Sequence, residues 1–439
     1  MFSNGIDSVL IFHLQNTMTM FVDFHWGQLQ SAIGLFAFPL IAWLIAPVRQ
    51  RPNIRLWLSA IGLQIVLALL LLKLPVFQLL FEGMNSGVLA LESAAQTGTS
   101  FVFGYLGGGA TPFEVSNANA LYIIGFRALP LILVIGALTA LLSYWRVLPW
   151  IITQLARMFS RSLGIGGAVA LSGAANIFVG MTEAPLFIRR SISKLSVSEL
   201  FMVMTLGMAT VAGTVLVLYA PILSNVIPNA IGHIFTASIL SIPAAIVIAL
   251  TLFPQTSPPT PADAEVATNY HGSMDAIAQG GINAMQMMLA IVALLIVFIA
   301  LISLSNQALG LFPEVSGSAL ALERMLGWVM APVCWLMGVP WSEAKAAGSL
   351  MGVKTVLNEL IAFIQLSQLP NNTLSARSEL IMSYALCGFA NFGSLGILIG
   401  GLSTLAPERR HEIARLGLWS IVSGTLATCL TASVIGVMS

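Results

Sequence analysis

Residues 388–396 read Gly388-Phe389-Ala390-Asn391-Phe392-Gly393-Ser394-Leu395-Gly396, and they sit inside an apolar run, 379–402, long enough to cross a bilayer. Each glycine weakens a helix by about 1 kcal/mol, so three of them with an asparagine in nine residues predict a break rather than a continuous span. A broken helix at membrane depth is tolerated only where its backbone lines a cavity or is buried in protein. Its freed carbonyls and half-helix ends then serve as ligand or ion groups. The competing reading is that the small residues only let helices pack closely.

The rest of the chain agrees that the solvent is lipid. Of 439 residues 57% are hydrophobic, while 18 Lys+Arg and 17 Asp+Glu make only 8%, against roughly 25% in an ordinary soluble domain. A net charge of +1 without a run of five like charges leaves no footprint for nucleic acid. A mean hydropathy of +0.92 excludes a disordered chain. Cys334, Cys387 and Cys429 form no CxxC pair and read as small hydrophobes.

A helix needs about 20 apolar residues to cross the hydrocarbon. Runs of that kind lie near 29–47, 55–73, 120–143, 200–222, 230–252, 283–305, 379–402 and 413–436, which predicts an all-α polytopic membrane protein with eight transmembrane helices. Met1 to Gln28 lacks the basic start and cleavage site of a signal peptide and reads as a retained interfacial segment. Residues 74–119, rich in Gly and Ser, suit an outer excursion with an interfacial helix. Residues 254–282, with Pro254, Pro258, Pro259 and Pro261, read as a solvated linker between halves. The chain then divides into 1–119 (amino-terminal spans and outer segment, the scaffold), 120–253 (third span, first hairpin and first repeat core), the linker, and 283–439 (sixth span, second hairpin and second repeat core). Cytoplasmic loops carry the excess of Lys and Arg. The clusters at Arg49, Arg51 and Arg55, at Arg146, Arg157 and Arg161, at Arg189, Arg190 and Lys194, and at Arg409, Arg410 and Arg415 all fall inside if the amino terminus is outside. Lys345, Lys354 and Arg377 then enter from the outer side, against that rule.

Two further apolar stretches, 165–190 and 328–368, are too interrupted to be spans, and they resemble each other. Thr182-Glu183-Ala184-Pro185-Leu186-Phe187-Ile188 is matched by Asn358-Glu359-Leu360-Ile361-Ala362-Phe363-Ile364 at an offset of 176. Ser198-Glu199-Leu200 returns as Ser378-Glu379-Leu380 at 180, and Gly207-Met208-Ala209-Thr210 as Gly388-Phe389-Ala390-Asn391 at 181. Each unit is a glutamate-bearing interrupted segment, a polar turn and a span broken midway. With one unit starting inside and the other outside, this is an inverted repeat with two reentrant hairpins, the construction of many secondary transporters, and it predicts alternating access.

Glu183 and Glu359 stand out because a carboxylate near the bilayer centre costs at least ~2.5–3.5 kcal/mol. Each either binds a polar solute, a cation or a proton, or merely stitches a hairpin. Asn391 and Ser394 in the broken seventh span are candidate ligand groups; Gly207, Thr210, Gly213 and Thr214 make the same case more weakly. Asn176 either places an amide oxygen beside Thr210, a sodium environment of hard ligands, or caps the hairpin helix. Lys345 and Lys354 read as snorkelling or paired with glutamates, and Phe389 and Phe392 as stacking or packing aromatics. The five histidines are scattered, and no HExxH, GxSxG or Walker loop occurs. An intramembrane hydrolase using the two glutamates stays as the alternative of another class, and it leaves the broken spans unexplained.

At these residues the sequence resembles the concentrative nucleoside transporter family. Gly180-Met181-Thr182-Glu183-Ala184-Pro185-Leu186 is similar to its G-Q-T-E-A-P-L hairpin, Asn358-Glu359-Leu360 to its N-E-F motif, and Ala385-Leu386-Cys387-Gly388-Phe389-Ala390-Asn391-Phe392 matches its A-L-C-G-F-A-N-F stretch. The resemblance runs from about residue 30 to 436. It implies eight spans, interfacial helices and two reentrant hairpins in a trimer with a scaffold and a moving transport domain, embedded in lipid of a bacterial-type inner membrane. It implies nucleosides as solute and sodium or protons as coupling cation, with no other cofactor and no nucleic acid; an uncoupled facilitator is the nearer rival. Carried over residue by residue, Thr182 and Glu183 face the nucleobase, Glu359, Asn391 and Ser394 hold the ribose, Phe389 lines the pocket and Val215 its base side. Asn176 and Val179 with the Thr210–Thr214 region correspond to the sodium site of sodium-coupled members. Met181 stands where Gln is usual, which replaces an amide by a thioether and puts base preference in question. Leu360 replaces the Phe of N-E-F.

Overall fold

The computed structural model describes residues 26–116, 121, 123–224, 226–261, 270–315, 317–370 and 372–439. Most of the expected amino-terminal interfacial segment, and part of the linker, lie outside them. The helices in chain order are α1 (Trp26–Ile45), α2 (Ile54–Lys73), α3 (Pro75–Phe103), α4 (Leu131–Tyr144, preceded by a turn at Ile124–Arg127), α5 (Val147–Leu163), α6 (Gly167–Val179), α7 (Val197–Ala209), α8 (Gly213–Leu223), α9 (Ala230–Leu252), α10 (Ser273–Leu309), α11 (Leu322–Met337), α12 (Trp341–Val356), α13 (Glu359–Ser367), α14 (Ala376–Leu386), α15 (Phe392–Leu405) and α16 (Arg410–Met438). Among the described residues the only β-pairing is an isolated bridge between Val315 and Ser318.

The eight expected spans are present. Among the described residues, seven helical segments are long and apolar enough to cross a membrane, counting α7 with α8 as one. The eighth is the pair α14 and α15, interrupted at 387–391 where the glycine-rich stretch predicted a break. The pair α11 and α12 is also apolar, but it bends by 117°. It is therefore not a straight span: α11 is a separate helix, and the second hairpin starts at Trp341 rather than near 328. The sixth span begins at Ser273, ten residues before the expected position, and its 37 residues extend α10 to about 55 Å.

The repeated words turn out to be helix starts and tips. Ser196 caps α7 in a reciprocal box with Glu199, and Ser375 caps α14 by accepting from the Ser378 amide. Glu199 also accepts from the Thr260 amide and hydroxyl at 2.6 and 2.8 Å, which pins the start of the linker to the first repeat. At the first tip Gly180 has φ +88°, a left-handed conformation suited to glycine, and a Cβ there would meet Ala212 at 2.9 Å. A Cβ on Gly388 would lie 3.0 Å from the Ala209 carbonyl and 2.7 Å from Thr428. The two broken spans thus meet backbone to backbone at their breaks.

Hydrogen bonds between ends fix the relative direction of the units. Arg409 donates to the carbonyls of Ile192 and Leu195 at 2.8 and 2.7 Å, so the first unit's broken span starts where α16 starts. Arg377 donates to the carbonyls of Gly27, Gly338 and Gly436, so the second unit's broken span starts where α16 ends. The units enter from opposite ends, and the repeat is inverted. Arg377 departs from the basic-residue rule because its charge is spent on carbonyls at three other backbone positions there.

Candidate solute and cation site

The second hairpin tip places Glu359 at the first residue of α13, where Asn358 caps the helix by accepting from the Ile361 amide at 3.0 Å. Glu359 is 4% exposed, and both carboxylate oxygens are engaged. The Tyr219 hydroxyl of α8 donates to Oε1 at 2.6 Å, and Asn391 Nδ2 donates to Oε2 at 3.2 Å. Asn391 is itself the cap of α15, accepting from the Ser394 amide at 2.7 Å through Oδ1. One carboxylate therefore ties the second hairpin to both broken spans. A buried carboxylate needs such donors, because unpaired it would carry the full desolvation cost.

These groups border a cavity of about 440 Å³, within the usual ~300–1,000 Å³ of a small-molecule site. Met181, Thr182 and Glu183 line it from the first tip, Val215 and Tyr219 from α8, Glu359 from the second tip, and Phe389, Asn391 and Ser394 from the break of the seventh span. All eight residues expected to touch solute thus share one cavity. Phe392 is absent from this lining and is half exposed, so of the two aromatics only Phe389 faces the site. Met181 is buried against Gly207, where a glycine Cβ would meet its Cβ at 3.1 Å. Glu183 is only partly buried and makes no hydrogen bond or ion pair among the described residues. It also lines a second, larger cavity of about 720 Å³ that includes Arg189, Arg190, Tyr270 and Asp275. The first cavity adjoins the second through Val179, Glu183, Asn283 and Met287, toward the basic end of the bundle.

Among the cation candidates, the structure brings Asn176 and Thr210 together. Asn176 Nδ2 donates to the Leu206 carbonyl at 2.8 Å and to Thr210 Oγ1 at 2.6 Å. A carbonyl can only accept, which fixes the amide's orientation. Asn176 Oδ1 is then buried without a hydrogen-bond partner, a cost of about 1–3 kcal/mol that a bound cation would remove. That oxygen, with the remaining lone pair of Thr210 Oγ1, is of the hard type a sodium ion takes. Val179 and Thr214 line the second cavity together, and Thr214 bonds neither Asn176 nor Thr210.

Three further residues at the site escaped the sequence reading. Tyr219 is the lone phenol of apolar α8, and that oddity was its signal. Asn283 and Gln286 lie three apart on α10 and line the first cavity, forming a polar patch on a long apolar helix. Of the two readings of Lys354, snorkelling fails and pairing with a glutamate keeps support, because the Lys354 and Glu359 charges act on each other. Lys354 is fully buried, and its Nζ donates to the Ala385 carbonyl at 2.7 Å and to Thr428 Oγ1 at 2.9 Å. The break in the seventh span freed the acceptor it uses.

Comparison with known proteins covers nearly the whole chain. Residues 33–106 and 233–436 match family models described as Na+ dependent nucleoside transporter N-terminus and C-terminus, and 125–226 match one described as nucleoside recognition. The nucleoside permease NupC of Helicobacter pylori is 33% identical over 94% of this chain and 98% of its own length. Mouse solute carrier family 28 member 3 is 32% identical over 94% of this chain and 59% of its own length. The structure of CNTnw in an inward-facing substrate-bound state superposes with a TM-score of 0.83 at 34% identity, covering 93% of this chain and 97% of that one. A CNTnw variant in an outward-facing state gives 0.82 at 33%, covering 94% and 98%.

Proposed function

The chain belongs to the Na+-dependent, concentrative nucleoside transporter family, multi-pass membrane proteins that carry out nucleoside–cation symport by alternating access, and from that premise we propose how its residues divide the task. The observation that carries the reading is Glu359, fastened by Tyr219 and Asn391 at the meeting point of a hairpin and both broken spans. With Asn391 and Ser394 it holds the ribose: a carboxylate has about four lone-pair sites, so acceptor capacity remains for a sugar hydroxyl after Tyr219, Asn391 and its own backbone amide have taken theirs. Thr182, Glu183, Met181 and Val215 face the base, and Phe389 lines the pocket between. Sodium sits at Asn176 Oδ1 and Thr210, beside Val179 and Thr214, and its arrival closes the first hairpin's fit around the solute.

The site binds rather than hydrolyses. Both Glu359 oxygens accept from fixed donors, which suits holding a hydroxyl more than exchanging a proton. The protomer works as a homotrimer in lipid of a bacterial inner membrane, a reading supported by its bacterial relatives and by α10, whose outer face presents Ile282, Leu289, Ile296 and Leu304. Uptake of labelled uridine into proteoliposomes, with a sodium gradient, a proton gradient or neither, tests the coupling. Accumulation above equilibrium is expected only with sodium. Accumulation with protons alone reassigns the ion, and equilibration without either gradient makes the protein a facilitator.

A further inference from the structure

Each broken span leaves a half-helix carboxy terminus at membrane depth, α7 at Ala209 and α14 at Leu386. Such an end carries roughly half a negative charge on its unpaired carbonyls, and with no water available it draws a cation or a donor. In the first unit the hairpin arm α6 answers with Asn176, which reaches the Leu206 carbonyl and keeps one oxygen unpartnered. In the second unit the hairpin arm α12 answers with Lys354, which reaches the Ala385 carbonyl. The two side chains are 178 positions apart, and the two carbonyls 179, inside the offsets of 176 to 181 that relate the repeats. Both also bond a threonine hydroxyl, Thr210 at the break itself in one case and Thr428 of α16, outside the repeat, in the other. Lys354 and Asn176 hold corresponding places in an inverted repeat. One place is finished by an ammonium, and the other, where the Leu206 carbonyl accepts from Asn176 and from the Thr210 hydroxyl, keeps one unpartnered amide oxygen.

We propose that the Lys354 ammonium is a tethered cation that fills, in the second unit, the place the mobile sodium ion takes in the first, so that one sodium moves with each nucleoside. The inference rests on the sodium site assigned above. Its physical sense is that a tethered charge travels out and back with its hairpin and adds nothing net to the cycle, whereas a released ion does. A lysine that only cross-linked α12, α14 and α16 would affect stability but not the number of ions carried.

The test is sodium dependence and charge moved per uridine in proteoliposomes. Wild type should show a one-ion dependence and one charge per uridine. Lys354→Asn vacates the second place, so sodium activation should steepen to a two-ion dependence with a second charge moved, at several-fold higher sodium. The mirror variant Asn176→Lys supplies a tethered cation to the first unit and should bind uridine without sodium. A sodium-dependent wild type whose Lys354→Asn variant keeps the one-ion dependence would overturn the inference. So would a folded Asn176→Lys protein that still needs sodium or has lost uridine binding, and this second variant decides the matter alone if Lys354→Asn does not fold. A wild type indifferent to sodium sinks instead the coupling assignment on which the inference stands.

Discussion

The two hairpin tips follow one plan and arrive at different chemical states. At the second, Glu359 opens a regular helix, is 4% exposed and has both oxygens held. At the first, Glu183 precedes a tight 3-10 turn through Ala184–Ile188, with Pro185 in its first turn, and lies partly buried between two cavities with no bonded partner among the described residues. The difference teaches which end of a solute each can serve. A carboxylate already fixed by donors presents its remaining lone pairs in one direction, which suits the part every nucleoside shares. A carboxylate without partners can accept from donors that vary among bases, or bind the solute only in some conformations of the cycle.

The strongest way to break that contrast is to remove the fixed carboxylate. Glu359→Ala strands the Tyr219 hydroxyl and the Asn391 amide, at about 1–3 kcal/mol per buried group, and it deletes the ribose acceptor. Uptake of uridine, cytidine, adenosine and inosine should all fall by about a hundredfold or more, since 1.4 kcal/mol is tenfold. An effect confined to some bases would mean that Glu359 reads the base. Tyr219→Phe sharpens the same point, because it removes one hydrogen bond to a charged group, worth about 1.5–3 kcal/mol, and leaves the carboxylate. KM for every nucleoside should rise by roughly tenfold, with a modest loss of thermal stability. An unaltered KM would show that the phenol only packs against Phe363.

The first unit is probed through its ion and its base contacts. Asn176→Ala removes the unpartnered oxygen, so the sodium concentration for half-maximal uptake should rise by about tenfold, with the order of preference among nucleosides kept. Equal sodium activation in variant and wild type would dissociate Asn176 from the ion. The smallest effect belongs to Met181→Gln. It restores an amide at the first tip where only some base edges can satisfy it. Competition by cytidine, adenosine and inosine should be re-ranked by a few-fold, whereas 2′- and 3′-deoxyuridine should keep their ratio to uridine. Equal scaling of all competitors would detach the first tip from base recognition.

The sequence by itself determined the eight spans, the two breaks and the inverted repeat, and it singled out Glu183, Glu359, Phe389, Asn391 and Ser394, whereas Met181, Thr182 and Val215 came only from the resemblance to the family's motifs. The bilayer makes this legible, because it penalises every unsatisfied backbone group and every charge, so that composition over a local window decides what spans and what does not. Glycine clusters and intramembrane glutamates are visible as violations of that local rule. The tertiary structure alone decided who satisfies them. Tyr219 reaches Glu359 across 140 positions, and Lys354, expected to snorkel or to pair with a glutamate, is a buried donor on a carbonyl 31 positions away. The orphaned Asn176 oxygen exists only because its amide nitrogen is taken by Leu206 and Thr210. Hydrogen-bond partners are set by which helix faces meet, and that depends on the packing of the whole bundle rather than on any pattern along the chain.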